Sequence, residues 1–129
     1  MQKAIQSPAV TAPRGFYSQA VQAGQMLFIA GQLPLDLAGH VVGVTAGAQA
    51  RQALLNVHNV LLAANADWRH LVQVTIYVSD IEHWPAVNAV YQEMLANVPV
   101  PPARAVVPVK EMHYGALVEV QATAYLSED

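Results

Sequence analysis

Leu71-Val72-Gln73-Val74-Thr75-Ile76-Tyr77-Val78 is the most strand-like stretch of the chain, and with the helix and strand after it this stretch decides the fold. The residues alternate, with Val72, Val74, Ile76 and Val78 toward one face and Gln73, Thr75 and Tyr77 toward the other. From about Ile81 to Asn97, Trp84, Val87, Val90, Tyr91, Met94 and Leu95 recur at helical spacing. Asp80 stands where it can cap that helix, and Pro85 falls in the first turn, where its missing N–H is tolerated. Pro99, Pro101 and Pro102 stop the helix and lead into Ala103-Arg104-Ala105-Val106-Val107-Pro108-Val109, a run that reads as a buried strand. A strand, a helical crossover and a second strand normally return parallel and right-handed.

Outward from this unit, the first helix is predicted from Thr45, its N-cap, to about Asn65. Ala48, three residues on, denies Thr45 a capping box. Ala50, Leu54, Val57, Leu61 and Ala64 form the apolar stripe, which Leu55, His58 and Leu62 broaden. Tyr17 to Gln22 and Gln25 to Ala30 read as antiparallel strands about a tight turn at Ala23-Gly24. Met26-Leu27-Phe28-Ile29 has the continuous apolar character of a strand covered on both faces. Gly31-Gln32-Leu33-Pro34 ends it, and a small hairpin turns at Ala38-Gly39-His40 and returns through Val41-Val42. Residues 1 to 16, with Pro8, Pro13 and Gly15, read as an irregular lead-in. The last strand runs from Val118 to Leu126, with Val118, Val120, Ala122 and Ala124 opposed to Glu119, Gln121, Thr123 and Tyr125. The order predicts an α+β domain spanning residues 1–129, a mixed sheet with two helices on one face.

The chain has 129 residues, 54% of them hydrophobic and only 12% charged, against roughly 25% charged in an ordinary soluble protein. So little charge on a small domain implies that the second sheet face is covered by copies of the same chain around a symmetry axis. Net charge is −3, and the Lys and Arg residues at 3, 14, 51, 69, 104 and 110 form no basic stripe. Nucleic acid is therefore not an expected partner. Cysteine is absent, which excludes disulfides and thiolate catalysis. With no apolar signal core and no membrane-length apolar run, no membrane partner is expected and a cytoplasmic location is the default.

Arg104 is the only charged residue between Glu93 and Lys110. A guanidinium in a strand cannot shed its proton and needs an anionic partner. Two remain open: Glu119 or Glu111 of its own chain, or a ligand carboxylate gripped by the guanidinium fork. Gly31 can bring bare backbone close to a ligand or simply end its strand. Tyr17 and Tyr91 suit the core or an interface. The Asn88 amide, beside the apolar stripe of the second helix, must find partners. The five His residues show no metal-ligand spacing, so no metal is expected. His113, beside Tyr114 in the loop before the last strand, is the most placed for chemistry. The serines lack a His/Asp companion arrangement, which argues against a serine hydrolase.

Six motifs in order then carry a resemblance: Gly15-Phe16-Tyr17-Ser18-Gln19-Ala20, Ile29-Ala30-Gly31-Gln32-Leu33-Pro34, Gln49-Ala50-Arg51-Gln52-Ala53-Leu54-Leu55-Asn56-Val57, Val87-Asn88-Ala89-Val90-Tyr91, Pro102-Ala103-Arg104 and Val118-Glu119-Val120-Gln121-Ala122-Thr123-Ala124. Over nearly its whole length the chain resembles the RidA (YjgF-like) family of enamine/imine deaminases. The resemblance implies a chorismate-mutase-like fold with a six-stranded sheet, a homotrimer, and a cleft at each subunit interface. It implies hydrolysis of 2-imino or enamine carboxylates to 2-keto acids and ammonia without a cofactor. Arg104 would grip the small-molecule carboxylate, Gly31 would offer backbone contacts, Tyr17 would line the cleft, and Asn88 matches the helix asparagine.

The chain departs from the family pattern at several positions. Gln121 stands where a glutamate is usual, and an amide can orient a water but cannot take its proton. Phe16 replaces a frequent proline, Ala30 a common serine, Ala105-Val106 a small polar pair, and His113-Tyr114 fills a loop often containing Pro and Lys. These changes imply a more apolar and aromatic cleft, formed with Phe16 and His113 among its binding residues, and a bulkier or conjugated ligand. Catalysis would rest on Arg104, Tyr17 and Gln121, or on His113 holding the water. Glu119 points to the same strand face as Gln121 but about 7 Å away. The alternatives are an aminomuconate-type deaminase and a carboxylate-binding trimer without catalysis.

Overall fold

The computed structural model describes residues 1–127. Its elements are β1 (Lys3–Ile5), β2 (Ala20–Ala23), β3 (Met26–Gln32), α1 (Ala46–Ala63), β4 (Leu71–Val78), α2 (Trp84–Met94), β5 (Ala103–Pro108) and β6 (Val118–Tyr125). Single 3-10 turns occupy Trp68–His70, Ile81–His83 and His113–Gly115. The strands form one sheet in the order β1-β2-β3-β6-β4-β5. β4 and β5 are parallel, joined by α2, and the other neighbouring pairs are antiparallel. The last strand thus enters the middle of the sheet, between β3 and β4. Both helices lie on one face, where α1 and α2 also meet each other.

Alternation explains that layer. Leu27 and Ile29 of β3, Val74, Ile76 and Val78 of β4, and Val118, Val120, Ala122 and Ala124 of β6 are buried beneath the helices. They meet Ala50, Ala53, Leu54, Val57, Val60 and Leu61 of α1 and Val87 and Tyr91 of α2. Each fully buried Leu, Ile or Val contributes on the order of 1.5–3 kcal/mol. Thr45 caps α1 by accepting the Ala48 N–H at 3.1 Å, and Asp80 accepts the Glu82 N–H at 2.9 Å, with Pro85 in the first turn of α2. The short hairpin survives as one bridge, Leu35 to Val41.

Several expectations are corrected. The lead-in contains β1, paired with β2, and it is pinned by a buried glutamine. Gln19 Oε1 accepts from Ser7 N at 2.6 Å, while Gln19 Nε2 donates to the Ser7 and Val10 carbonyls at 3.3 Å. The strand after it begins at Ala20 rather than Tyr17, and its turn lies at Gly24-Gln25, with Gly24 at φ 59°. α2 proper begins at Trp84, after the 3-10 turn that Asp80 caps, and ends at Met94. Leu55 and Leu62 lie outside the α1 stripe, facing solvent. Val72 does not share the face of Val74, because the β4–β6 register slips between Leu71 and Gln73.

The second face of the sheet is open in the single chain. Phe28 (49%), Tyr125 (47%) and Val72 (43%) stay substantially exposed, so β3 is covered on one face rather than on both. β5 is an exposed edge strand, not a buried one. None of the described helices is long and apolar enough to cross a membrane.

Candidate functional site

Arg104 belongs to the helix-facing side of β5. Its parallel partner is Val74, a core residue, and its side chain runs beneath α2. There Trp84, Asn88 and Tyr91, at i, i+4 and i+7, form one stripe along the helix. Arg104 Nη1 donates to Asn88 Oδ1 at 3.0 Å. The guanidinium carbon lies 4.6 Å from the Trp84 ring centroid and 4.8 Å from that of Tyr91. An amide oxygen and two aromatic faces hold the group in place without neutralising it. Among the described residues Arg104 forms no ion pair; Arg51 pairs with Glu93 and Arg69 with Asp67. The question left open by the sequence is thereby answered against Glu119 and Glu111.

Beside the guanidinium a cavity of about 500 Å³ is lined by Tyr91, Gln92, Leu95, Pro101, Pro102 and Arg104. The Tyr91 hydroxyl is buried and has no hydrogen-bond partner among the described residues. Burial pushes its pKa up, and the nearby Arg104 charge pulls it partly back. A larger recess, about 540 Å³, lies between Gln22, Gln25, Asn65 and Arg69. It holds none of the predicted site residues, and its arginine is already paired with Asp67.

A second cluster occupies the open face where β3 meets β6. The register pairs Ile29 with Ala122 and Gln32 with Val120, so Ala30 and Gly31 bulge opposite Gln121 alone. Gly31 has no side chain for a specific reason: a Cβ there would lie 2.6 Å from Glu119 Oε2. The backbone therefore approaches the carboxylate as no larger residue allows. Burial raises the Glu119 pKa above the usual carboxylate value, and the His113 charge opposes this. Along the same face Tyr77 OH donates to Gln121 Oε1 at 3.0 Å. His113 and Tyr114 stand on the 3-10 turn before β6, their rings 5.9 Å apart, with Arg14 5.4 Å from the Tyr114 ring. Tyr17 and Gly31 line one small recess of about 40 Å³ with Gln32, Leu33 and Asn56.

Buried amides of α1 fix both loops that flank this cluster. Asn56 Nδ2 donates to the Leu33 and Leu35 carbonyls at 3.0 and 2.9 Å, just after Gly31. Gln49 Oε1 accepts from Leu117 N at 2.7 Å, just before β6. Both glutamine and asparagine lie in the helix motif that carried the resemblance.

The predicted residues thus fall into two groups. Arg104 and Asn88 are together; Gly31 and Tyr17 are together, with Gln121 beside the Gly31 bulge and His113 near Glu119. Phe16 projects fully into solvent. Three residues take a larger part than the sequence suggested. Glu119 is the carboxylate of the open-face cluster, and its alternation with Gln121 was the available signal. Trp84 and Tyr91, assigned to the core face, do pack there and also clamp the arginine. Gly31 on β3 lies three strand spacings, about 14 Å, from Arg104 on β5, and Glu119 and Gln121 on β6 lie two, about 10 Å; the two groups are on opposite faces of the sheet. A small ligand at Arg104 does not reach Gly31 and Glu119 of the same chain.

A mixed sheet backed by two helices, with an arginine at one edge that no described carboxylate pairs and a glycine bulge against a carboxylate on the open face, defines a YjgF-fold domain. Comparison with known proteins places it further. The family model described as Endoribonuclease L-PSP matches residues 6–126, and the chain belongs to this RidA/YjgF/RutC family. Protein DfrA of Myxococcus xanthus is 41% identical over 125 residues, covering 95% of this chain and 94% of that protein. The 2-iminobutanoate/2-iminopropanoate deaminase of Bos taurus is 35% identical, covering 96% and 90%. The crystal structure of the yjgF gene product of E. coli superimposes with a TM-score of 0.92 at 32% identity, over 97% and 99% of the two chains. E. coli TdcF with bound serine gives 0.92 at 27% identity over the same shares.

Proposed function

We propose that this chain is a cofactor-independent deaminase that hydrolyses 2-imino and enamine carboxylates to 2-keto acids and ammonia. The observation that carries the reading is the Arg104 guanidinium, held by Asn88, Trp84 and Tyr91 and paired with no carboxylate of the described chain. A preorganised, unneutralised fork is the complement of a ligand carboxylate. The relative named as an iminobutanoate and iminopropanoate deaminase, and the relative solved with serine bound, both point to small amino-acid-like carboxylates.

The two half-sites come together in a homotrimer, each cleft taking the Arg104 edge from one copy and the Gly31–Glu119 patch from the next. The uncovered Phe28, Tyr125 and Val72 give such an assembly apolar surface to bury. In the cleft a water attacks the imine carbon. Glu119 accepts its proton and returns it to nitrogen, which gives a carbinolamine; the carbinol O–H proton then passes through the same carboxylate to nitrogen, the C–N bond breaks, and ammonia leaves as the keto group forms. Burial of Glu119 suits it to this exchange. Gly31 offers backbone contacts and Tyr17 a wall.

A second reading, a trimer that binds carboxylates without turnover, is favoured by one observation: Gln121 is an amide whose oxygen is already occupied by Tyr77. Ammonia release from 2-iminobutanoate generated in situ by an amino acid oxidase separates the two. Acceleration over buffer, lost in Arg104→Ala, is expected. Tight binding of 2-oxobutanoate with no acceleration would leave the binding module in place of the enzyme.

A further inference from the structure

Gln121 is held by a neighbour that determines which of its groups a ligand can meet. Tyr77 and Gln121 are diagonal cross-strand neighbours on the open face: Tyr77 pairs with Glu119 in register, and Thr75 pairs with Gln121. The Tyr77 hydroxyl donates to Gln121 Oε1 at 3.0 Å. Nε2 is therefore turned away from Tyr77, and it makes no hydrogen bond to another described residue. Gln121 is exposed, directly opposite the Ala30-Gly31 bulge and on the same face as Glu119. What it presents beside the half-site is a pair of N–H donors. A glutamate there would present only acceptors when ionised and would add a negative charge beside Glu119.

We propose that Tyr77 and Gln121 form a specificity pair whose fixed amide donates to a second oxygen acceptor of the ligand, a distal carboxylate or carbonyl beyond the carboxylate held by Arg104. This deepens the deaminase reading and rests on it for the arginine anchor. Gln121 is then a recognition residue rather than a water-activating one. Tyr77 is a positioning residue, acting only through the amide it orients. The preferred ligands are bifunctional acids, and simple alkyl 2-oxo or 2-imino acids leave the Gln121 donors unused.

The test is calorimetric titration of the full chain with 2-oxobutanoate, 2-oxopentanedioate and the 5-amide of that diacid. The wild-type chain is expected to bind at least one of the two bifunctional ligands about tenfold more tightly than 2-oxobutanoate, the worth of one charge-assisted or well-placed hydrogen bond. Preference for the diacid alone assigns the acceptor as a carboxylate, for the amide alone as a carbonyl, and for both as any oxygen. In Gln121→Leu the ratio of affinities falls to near one. Gln121→Glu, which keeps the size and the Tyr77 bond, also loses the preference, and Tyr77→Phe gives an intermediate ratio. Equal affinities in the wild-type chain, or a preference that survives in Gln121→Leu, overturn the proposal while leaving the anchor intact. Binding unaffected by Arg104→Ala, or no binding of any of the three acids, overturns the deaminase site itself and this proposal with it.

Discussion

The Arg104 edge and the Gly31–Glu119 patch handle charge in opposite ways. At the edge the charge is permanent, and the surroundings fix its geometry: an amide oxygen and two rings position the guanidinium without neutralising it. On the open face the charge is conditional, because burial raises the pKa of Glu119 and its ionisation varies with pH. In the proposed mechanism one half holds an anion and the other exchanges a proton. The halves stand on opposite faces of the sheet, and the proposed deaminase needs both, which is why the proposal includes assembly.

The largest expected effect strikes the permanent charge. Arg104→Ala should lower kcat/KM for 2-iminobutanoate by roughly 10²–10³-fold, the loss of two charge-assisted hydrogen bonds. Folding should be nearly unaffected, because Arg104 sits on an exposed edge strand. Mixing this variant with Glu119→Gln before refolding probes whether the halves belong to different copies. Each variant alone is nearly inactive, yet about a quarter of the clefts in a random mixed assembly combine an intact Arg104 with an intact Glu119. Recovered turnover shows a composite cleft. Absence of recovery in a mixture shown by mass to contain hetero-assemblies breaks it.

The conditional charge predicts a pH profile. Glu119 acts as a base when ionised, and its pKa is raised, so the acid limb of kcat/KM should lie above the ordinary carboxylate range and vanish in Glu119→Gln. His113→Ala removes the opposing charge and should move that limb further up. Stability changes with the matching sign. The folded chain keeps the Glu119 proton to higher pH than the unfolded chain. That contribution is therefore full below the unfolded pKa and is lost as pH rises through the folded one. Urea unfolding across the window should show the decline in the native chain and not in Glu119→Gln.

These contrasts explain how far the sequence alone could be read. The sheet-and-helix order was legible because Leu71–Val78 and Val118–Tyr125 alternate cleanly and Thr45 and Asp80 mark helix starts. β1 was not, since three residues carry little pattern and their order depends on Gln19, a tertiary contact. Arg104 was legible as a group needing an anion, but its apolar neighbours suggested burial where the strand order puts an edge. The clamp on it was hidden because aromatic residues at helical spacing look the same whether they fill a core or embrace a cation. Glu119 was visible on the right face, and the bulge at Ala30-Gly31, which sets its place beside Gly31, has no sequence signature beyond the glycine.

A smaller effect tests that close approach. In Gly31→Ala the new Cβ would meet Glu119 Oε2 at 2.6 Å. The contact is with the end of a flexible side chain, so the carboxylate swings aside and the fold tolerates the change. Turnover should fall about tenfold with displacement of the base, while binding of 2-oxobutanoate, which depends on Arg104, changes little. Equal losses in binding and turnover would mean that Gly31 serves the anchor half, and the division between the two regions would fail.

The smallest effect concerns the rings around Arg104. A cation over an aromatic face at a partly exposed site is worth about 0.5–1 kcal/mol, so Trp84→Leu should weaken binding of 2-oxobutanoate by only about two- to fivefold. Tyr91 and Asn88 still hold the guanidinium in that variant, and kcat should stay near its original value because the proton-exchanging half is untouched. Trp84→Phe keeps a ring at 84 and should restore most of the affinity, which a role for Trp84 in bulk packing alone does not predict, since Leu and Phe both fill apolar space. If Leu and Phe behave alike, the ring is a packing residue and Arg104 is positioned by Asn88 and Tyr91. If only Phe restores binding, the permanent charge is held by the aromatic stripe of α2, and the edge half is preorganised before any ligand arrives.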